Sequence, residues 1–213
     1  MHEKGSAAMS RPEGPTLDRG AADGGDRSNC DVVALPRPVI FLDIDGVLNR
    51  TKHATHIRLD DDLVSRLKTL VERTDADLVL STFWRHFREY IAYVLHRHGI
   101  DASRVIDSTP GRGHAREVKG VDASFVHSTM IGRSAADEAE YESRHDEIEA
   151  WLAAHPERAR YVILDDRPSA ARPGTELYER FVRTATEKGL VDEDVDRAIR
   201  ILRPCADPTR TDE

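Results

Sequence analysis

The sequence predicts an α/β fold in which a parallel central sheet carries helices on both faces. Three short apolar runs, residues 39–42, 78–80 and 161–164, lack polar alternation, as expected for strands covered on both sides. Segments with apolar residues at helical spacing alternate with these runs. Such alternation is typical of parallel strands joined by helical crossovers, which gives a three-layer architecture.

The remaining elements follow from local patterns along the chain. The first helix opens at Leu59, and its acidic residues 60–62 suit the positive end of a helix dipole. A second helix is expected from Phe83, closed by Gly99. Short strands are expected at residues 105–106 and 181–182. The apolar residues at helical spacing are Leu63, Val64, Leu67, Leu70 and Val71, then Phe83, Trp84, Phe87, Tyr90, Ile91, Val94 and Leu95, then Ile148, Trp151 and Leu152, and finally Val195, Ala198, Ile199 and Leu202.

Length and composition predict one domain with two tails. The chain has 213 residues and a formal net charge of -8, so it does not attract polyanions by bulk charge. Residues 1–35 are poor in large apolar side chains, which predicts a disordered N-terminal tail. The domain is expected over residues 36–204, followed by a flexible tail at 205–213.

No segment of the sequence has the pattern of a membrane span or a secretory signal. Apolar runs of about 18 residues are absent, and the N-terminus lacks an apolar centre. Cys30 and Cys205 form neither a zinc-type spacing nor a disulfide framework. We therefore expect a cytoplasmic protein with no membrane partner.

Polar residues that suit chemistry follow three of the predicted strands. Asp43 and Asp45 come directly after the first strand, and two carboxylates at this spacing can face one cation. Ser81 and Thr82 end the second strand, where either hydroxyl could bind a substrate or cap the next helix. Residues 165–166 are a pair of aspartates, which is costly at a strand end unless a cation or hydrogen bonds offset the charge. Because parallel strands end at one edge, these groups are expected to converge.

The segment Asp43-Ile44-Asp45-Gly46-Val47-Leu48-Asn49 closely resembles the first motif of the haloacid dehalogenase-like (HAD) superfamily. The resemblance implies a HAD-type Rossmann-like fold and a phosphatase that requires Mg²⁺. It implies Asp43 as the nucleophile that forms an aspartyl-phosphate, and Asp45 as the proton donor and acceptor. It also implies metal ligation by Asp43, Asp45, Asp165 and Asp166. The alternative is an acidic turn after a strand.

The second and third motifs of the superfamily can be placed on this chain as well. Ser81, with Thr82 as the alternative, would donate to phosphoryl oxygens. The third motif is a Lys or Arg, for which the sequence offers Arg144, at the start of a predicted helix, and Lys119, in a loop. The resemblance favours Arg144 as the catalytic cation and leaves Lys119 as a substrate-binding residue.

A narrower resemblance is to the HAD domain found in Swiss Army Knife RNA repair proteins. Ser81-Thr82-Phe83-Trp84-Arg85 resembles the S-[ST]-x-W-R signature of that group. Residues 144–152 resemble its R-x-x-E-I-x-x-W-L helix. Arg85 could bind phosphate or cap a helix, and Trp84 could be a core residue. The similarity extends from about residue 39 to about residue 202.

The segment at residues 107–143 is predicted to be a loop or small lid, too short for a large cap domain. An open site favours a bulky phosphorylated substrate. Cations collect between residues 49 and 119, so a nucleic-acid end or a nucleotide fits, although a solvated helix face explains the same charges.

Two other functions fit parts of the sequence. A catalytically silent binding or regulatory protein with this fold is the main alternative, and the complete set of acids argues against it. A metal-dependent glycosyltransferase would use Asp43 and Asp45 but leaves residues 165–166 unexplained.

Overall fold

A computed structural model describes residues 36–51, 55–111 and 141–203 of the chain, and its strands and helices alternate. In chain order the main elements are β1 (Val39–Leu42), α1 (Asp61–Thr74), β2 (Asp77–Leu80), a 3₁₀ helix (Phe83–Phe87), α2 (Arg88–Arg97), β3 (Val105–Ser108), α3 (Arg144–Ala154), β4 (Tyr161–Asp165), α4 (Glu176–Glu179), β5 (Phe181–Arg183) and α5 (Asp192–Leu202). Short 3₁₀ turns also occur at Ala102–Arg104 and Pro168–Ala170.

The five strands form one parallel sheet in the order β3-β2-β1-β4-β5, which confirms the predicted fold class. β1 is central, and its Leu42 lies opposite both Leu80 of β2 and Leu164 of β4. The residues that follow these three leucines therefore emerge side by side at the carboxyl edge of the sheet.

Each face of the sheet has its own apolar core. Ile40 and Leu42 pack into the core that includes α1, α2 and α5. Phe41 points to the opposite core, where the rings of Trp151 and Tyr161 meet it edge-on at centroid distances of 5.3 and 5.9 Å. Burial on both sides explains why the strand runs are continuously apolar.

The predicted faces of the first and last helices are confirmed. Both helices bury one stripe of side chains and leave the other faces to solvent. None of the helices within the described ranges is long and apolar enough to cross a membrane. The buried stripes are Leu63, Val64, Leu67, Leu70 and Val71 in α1, and Val195, Ala198, Ile199 and Leu202 in α5.

The segment predicted as one helix from Phe83 is divided in two. Phe83–Phe87 is a 3₁₀ helix, and the α-helix begins at Arg88. Trp84 and Arg85 are buried in the 3₁₀ turn, where their polar groups contact partners inside the protein. Tyr90, which helical spacing placed on the apolar face, is instead 52% exposed.

The third strand is longer than the sequence indicated. β3 continues through Asp107 and Ser108, two residues into the predicted insert, and they pair with Val79 and Leu80. Polar residues are tolerated there because β3 is an edge strand and both side chains are only partly buried. The predicted tails at residues 1–35 and 205–213, and most of the insert with Lys119, lie outside the described residues.

Candidate active site

Buried polar side chains meet at the carboxyl edge of the three central strands. The backbone N–H of Asp43 donates to the Leu164 carbonyl at 3.0 Å, and that of Ser81 donates to the Leu42 carbonyl at 2.9 Å. The strands thus remain paired up to the point where the side chains emerge. Asp165 closes β4 and Asp166 follows it. Asp43, Ser81 and both of these aspartates are buried.

Three carboxylates form a compact acidic cluster. One oxygen from each of Asp43, Asp165 and Asp166 lies within 4.8 Å of the other two. Like charges in a buried position are costly unless a cation or hydrogen bonds offset them. Within the described ranges, this is the group of His, Cys, Asp or Glu side chains that could hold a metal ion. A donor set made only of oxygens suits a hard cation such as Mg²⁺.

One oxygen of Asp166 lacks a hydrogen-bond partner among the described residues. This atom, Oδ1, is buried, whereas Oδ2 accepts a hydrogen bond from Thr186 Oγ1 at 2.6 Å. Both oxygens of Asp165, in contrast, accept hydrogen bonds, from Arg144 and from the backbone N–H of Arg167. A buried acceptor without a partner is costly, and a metal ion would satisfy it. Asp166 is therefore the stronger candidate for a direct metal ligand.

The turn after β1 approaches Asp166 closely. Gly46 has a φ of +78°, and a Cβ atom at this position would lie 2.5 Å from Cγ of Asp166. Thr184, which follows β5, holds the turn by donating to the Gly46 carbonyl at 2.8 Å. Glycine is required here both for the backbone conformation and for the space.

The guanidinium of Arg144 enters the cluster from α3. Its Nη1 lies 2.7 Å from Asp43 Oδ2 and 2.9 Å from Asp165 Oδ2, and it also donates to the Ser81 carbonyl. Ser143 caps α3 by accepting a backbone N–H of the first turn, which places Arg144 at the first helical position. Burial lowers the pKa of Arg144, but the carboxylates of Asp43 and Asp165 raise it by more. The pKa of Arg144 therefore stays above the ordinary value. The side chain therefore carries a permanent positive charge.

The pKa of Asp165 is raised to about 7. Burial is the largest cause; the Arg144 guanidinium lowers this pKa, and the Asp43 carboxylate raises it again. Near neutral pH a proton therefore competes with a cation for the cluster. A bound divalent cation favours the ionised carboxylate.

Asp45 lies beside the three-carboxylate cluster with partners of its own. Its Oδ2 accepts the indole N–H of Trp84 at 3.2 Å, and its Oδ1 accepts the side-chain amide of Asn49 at 2.8 Å. Asn49 also donates to the Arg58 carbonyl and accepts from the backbone N–H of Gly46. These contacts fix the orientation of the Asp45 carboxyl group. Metal ligation by Asp45 stays a prediction.

The two hydroxyls after β2 have different surroundings. Ser81 Oγ is buried and has no hydrogen-bond partner among the described residues. Thr82 Oγ1 accepts from the backbone N–H of Trp84 at 3.4 Å and so caps the 3₁₀ helix. A buried hydroxyl without a partner is suited to donate to a substrate oxygen, which favours Ser81.

Arg85 is buried and pairs with Glu147 of α3. Its guanidinium also donates to the main-chain carbonyls of Thr82 and Pro110. From the sequence, Arg85 could bind phosphate or cap a helix. Neither role predicts its ion pair with Glu147. Lys119, the other predicted cation, lies outside the described residues.

Four residues that support the site had no role assigned from the sequence. Asn49 and Glu147 belong to motifs that the sequence contains, but the sequence does not show which residues they contact. Thr184 and Thr186 follow β5 with no distinguishing pattern. They reach the site because β5 pairs with β4, and the N–H of Thr184 donates to the Asp165 carbonyl.

The fold and the site together define a HAD-type hydrolase domain. An aspartate pair follows the first strand, a hydroxyl the second and a double aspartate the fourth, with an arginine on the preceding helix. The chain matches the family model described as the HAD domain in Swiss Army Knife RNA repair proteins over residues 39–195, and it belongs to this family. Comparison with curated proteins and with solved structures gave no match.

Gly46→Ala is expected to destabilise the protein more than Gly174→Ala. The two glycines have φ values of +78° and +83°, so alanine carries a similar backbone penalty at either position. At Gly174 no atom lies within 4 Å of the added Cβ, whereas at Gly46 the Cβ meets Asp166. Urea unfolding of both variants should show an additional loss of about 1–3 kcal/mol for Gly46→Ala. Equal losses would show that the turn moves away from Asp166 at little cost.

Mg²⁺ is expected to raise the unfolding temperature by binding the acidic cluster. At a concentration of roughly 100 times the Kd, binding stabilises the folded state by about 2.7 kcal/mol. The increase should be smaller at pH 6 than at pH 8, because below the Asp165 pKa of about 7 the cation must displace a proton. Thermal denaturation with and without Mg²⁺ at both pH values measures the effect.

Two variants locate the cation in this experiment. Asp166→Asn should lose most of the Mg²⁺-induced increase, whereas Asp61→Asn, which alters an exposed acid at the start of α1, should keep it. The increase is compared within each variant, because removing one of several repelling carboxylates also changes the stability of the metal-free protein. An unchanged increase in Asp166→Asn would exclude Asp166 as a ligand.

Proposed function

We propose that the protein is a Mg²⁺-dependent phosphomonoester hydrolase that acts through an aspartyl-phosphate on Asp43. The supporting observation is a buried set of groups beside Asp43 that match the needs of a phosphate and a cation. Ser81 Oγ and Asp166 Oδ1 lack partners within the described ranges, and Arg144 contacts Asp43. When bound, Mg²⁺ would neutralise the carboxylates and the substrate phosphate.

In the first step, an oxygen of Asp43 attacks the phosphorus atom of the substrate. The bond between Asp43 and phosphorus forms as the bond to the leaving oxygen breaks, and Asp45 gives its proton to that oxygen. The free alcohol and the aspartyl-phosphate result. Arg144 and the Ser81 hydroxyl stabilise the charge on the other phosphoryl oxygens.

In the second step, water releases the phosphate. Asp45, now ionised, accepts a proton from the water molecule as the water oxygen attacks phosphorus. The bond between phosphorus and Asp43 breaks, and inorganic phosphate leaves. Asp43 is again a carboxylate and Asp45 is again protonated. Trp84 and Asn49 hold Asp45 in one orientation for both proton transfers.

A phosphorylated nucleic-acid end or nucleotide is the substrate class we propose. The helix α2, which follows Ser81 after the 3₁₀ turn, exposes two tyrosines one turn apart, Tyr90 at 52% and Tyr93 at 57%. Exposed aromatic rings stack on unpaired bases, and each contact contributes about 1–3 kcal/mol. Arg97, one turn after Tyr93, adds an exposed positive charge to this helix, whereas Arg88 pairs with Asp107 and Glu89.

A phosphate-binding or regulatory protein without turnover is the alternative function. Binding alone requires a cation and hydrogen-bond donors, which Arg144 and Ser81 could supply. A protein that only binds phosphate has no need for a nucleophile and a separate, rigidly held proton donor. The arrangement of Asp43 and Asp45 therefore favours an enzyme.

Asp43→Asn is expected to abolish hydrolysis of p-nitrophenyl phosphate. Loss of a catalytic nucleophile costs roughly four or more orders of magnitude in kcat, because the remaining groups cannot open the covalent route. Asp61→Asn, with its exposed position on α1, serves as the matched control and should keep full activity. Near wild-type hydrolysis by folded Asp43→Asn would exclude it as the nucleophile. An inactive wild type on a panel of phosphomonoesters with Mg²⁺ would favour the binding protein.

Replacing Tyr90 and Tyr93 by alanine is expected to weaken the binding of large substrates only. We expect KM for a 3′- or 5′-phosphorylated single-stranded oligonucleotide to rise by roughly 5- to 100-fold, as the loss of one stacked base predicts. Kinetics with p-nitrophenyl phosphate should not change. Tyr178→Ala, which removes a 47% exposed tyrosine from α4, is the control. An unchanged KM for both oligonucleotides would exclude α2 as the nucleic-acid surface.

A further inference from the structure

Arg85 and Glu147 form a buried ion pair between the turn after β2 and helix α3. Nη1 of Arg85 lies 2.8 Å from Glu147 Oε2, and Nη2 donates to Oε1 at 3.0 Å. The two side chains are only 5% and 11% exposed. Two parallel contacts of this kind fix the relative orientation of both groups.

The other donors of Arg85 are also engaged with protein oxygens. Its Nε donates to the Thr82 carbonyl and its Nη1 to the Pro110 carbonyl, both at 2.9 Å. Gly111 packs against the pair, since a Cβ there would lie 2.7 Å from Glu147 Oε1 and 3.3 Å from Arg85 Nη1. A substrate phosphate could reach the Nε and Nη1 donors of this guanidinium only by displacing these contacts.

Glu147 stands one helical turn after Arg144. Residues at this spacing lie on the same side of a helix and can pair with each other. In the structure they have different partners, because Arg144 contacts Asp43 and Asp165 whereas Glu147 contacts Arg85. Burial lowers the pKa of Arg144, and Glu147 is among the carboxylates that raise it, so the two charges on α3 interact.

We propose that Arg85 is a positioning residue that holds and neutralises Glu147 and thereby keeps Arg144 on Asp43 and the substrate phosphate. Without Arg85, Glu147 would be a buried carboxylate one turn from Arg144, with the Thr109 hydroxyl at 3.4 Å as its remaining partner among the described contacts. The attraction between them would draw Arg144 away from Asp43. This inference rests on the proposed function, which gives Arg144 its role in the reaction.

A double-mutant cycle measured with p-nitrophenyl phosphate and saturating Mg²⁺ tests the proposal. Arg85→Gln should lower kcat/KM by roughly 10- to 100-fold, toward the loss of roughly 100- to 1,000-fold expected for Arg144→Ala. Adding Glu147→Gln should restore kcat/KM to within about 5-fold of wild type, because the competing carboxylate is gone. Arg85→Lys keeps the neutralising charge but not the two parallel contacts, so it should retain more activity than Arg85→Gln.

Thermal denaturation ensures that all variants are assayed well below their unfolding temperatures. A double variant as inactive as folded Arg85→Gln would overturn the proposal, because Arg85 would then act on the substrate itself. Normal activity of folded Arg85→Gln would also overturn it and leave the pair a purely structural role. If Arg85→Gln does not fold, activity of both the double variant and Arg85→Lys is required.

Tungstate binding gives a measurement that needs no turnover. Isothermal titration calorimetry with Mg²⁺ present should show affinity weakened at least about 10-fold in Arg85→Gln and restored in the double variant. A wild type that binds tungstate but hydrolyses no phosphomonoester would exclude the proposed reaction, while the affinities still decide the role of Arg85. A wild type that neither binds tungstate nor hydrolyses a phosphomonoester would overturn both.

Discussion

The site depends on the electrostatic cost of placing three carboxylates together away from water. Asp43, Asp165 and Asp166 are each at most 8% exposed, and one oxygen of each lies within 4.8 Å of the others. Arg144 supplies one positive charge for three potential negative ones, which is too little to balance the cluster. Burial, and after it the Asp43 carboxylate, raises the pKa of Asp165, and Oδ1 of Asp166 has no hydrogen-bond partner among the described residues. A divalent cation would supply the missing positive charge, so the ionisation of the acids and the binding of the cation depend on each other.

The parallel sheet brings residues that are distant in sequence to the acidic cluster. Every strand of the described sheet delivers a side chain to the same carboxyl edge, because parallel strands all end there. The residues are Asp43 after β1, Ser81 after β2, Thr109 after β3, Asp165 at the end of β4 and Thr184 after β5. The central strands carry the buried acids and Ser81, and the threonines after the outer strands hydrogen-bond to their surroundings, as Thr109 Oγ1 does with Arg85 and Glu147. Thr184, for example, holds the turn at Gly46, and that turn packs against Asp166.

The sequence allowed the strands and the main acids to be predicted because their signals are local. A continuous apolar run followed by Asp43 and Asp45 needs no knowledge of distant residues. The partner of Arg85 is different, since Glu147 is 62 positions away and only the folded chain brings them together. From the sequence alone, phosphate binding and helix capping were the two roles open to Arg85. Likewise, helical spacing placed Tyr90 on the apolar face, but Tyr90 is exposed. The 3₁₀ turn before α2 shifts the helical register, and buried polar contacts that the sequence does not reveal set this turn.

The adjacent residues Trp84 and Arg85 explain how one short turn controls two sides of the site. A 3₁₀ helix has about three residues per turn, so neighbouring side chains point in well-separated directions. The Trp84 indole therefore reaches Asp45, while the Arg85 guanidinium reaches Glu147 on the helix that carries Arg144. The arginine of the W-R signature and the glutamate of the R-x-x-E signature are thus the two partners of one ion pair. Together the two signatures connect the turn after β2 to the Asp45 carboxyl group and to the helix that carries Arg144.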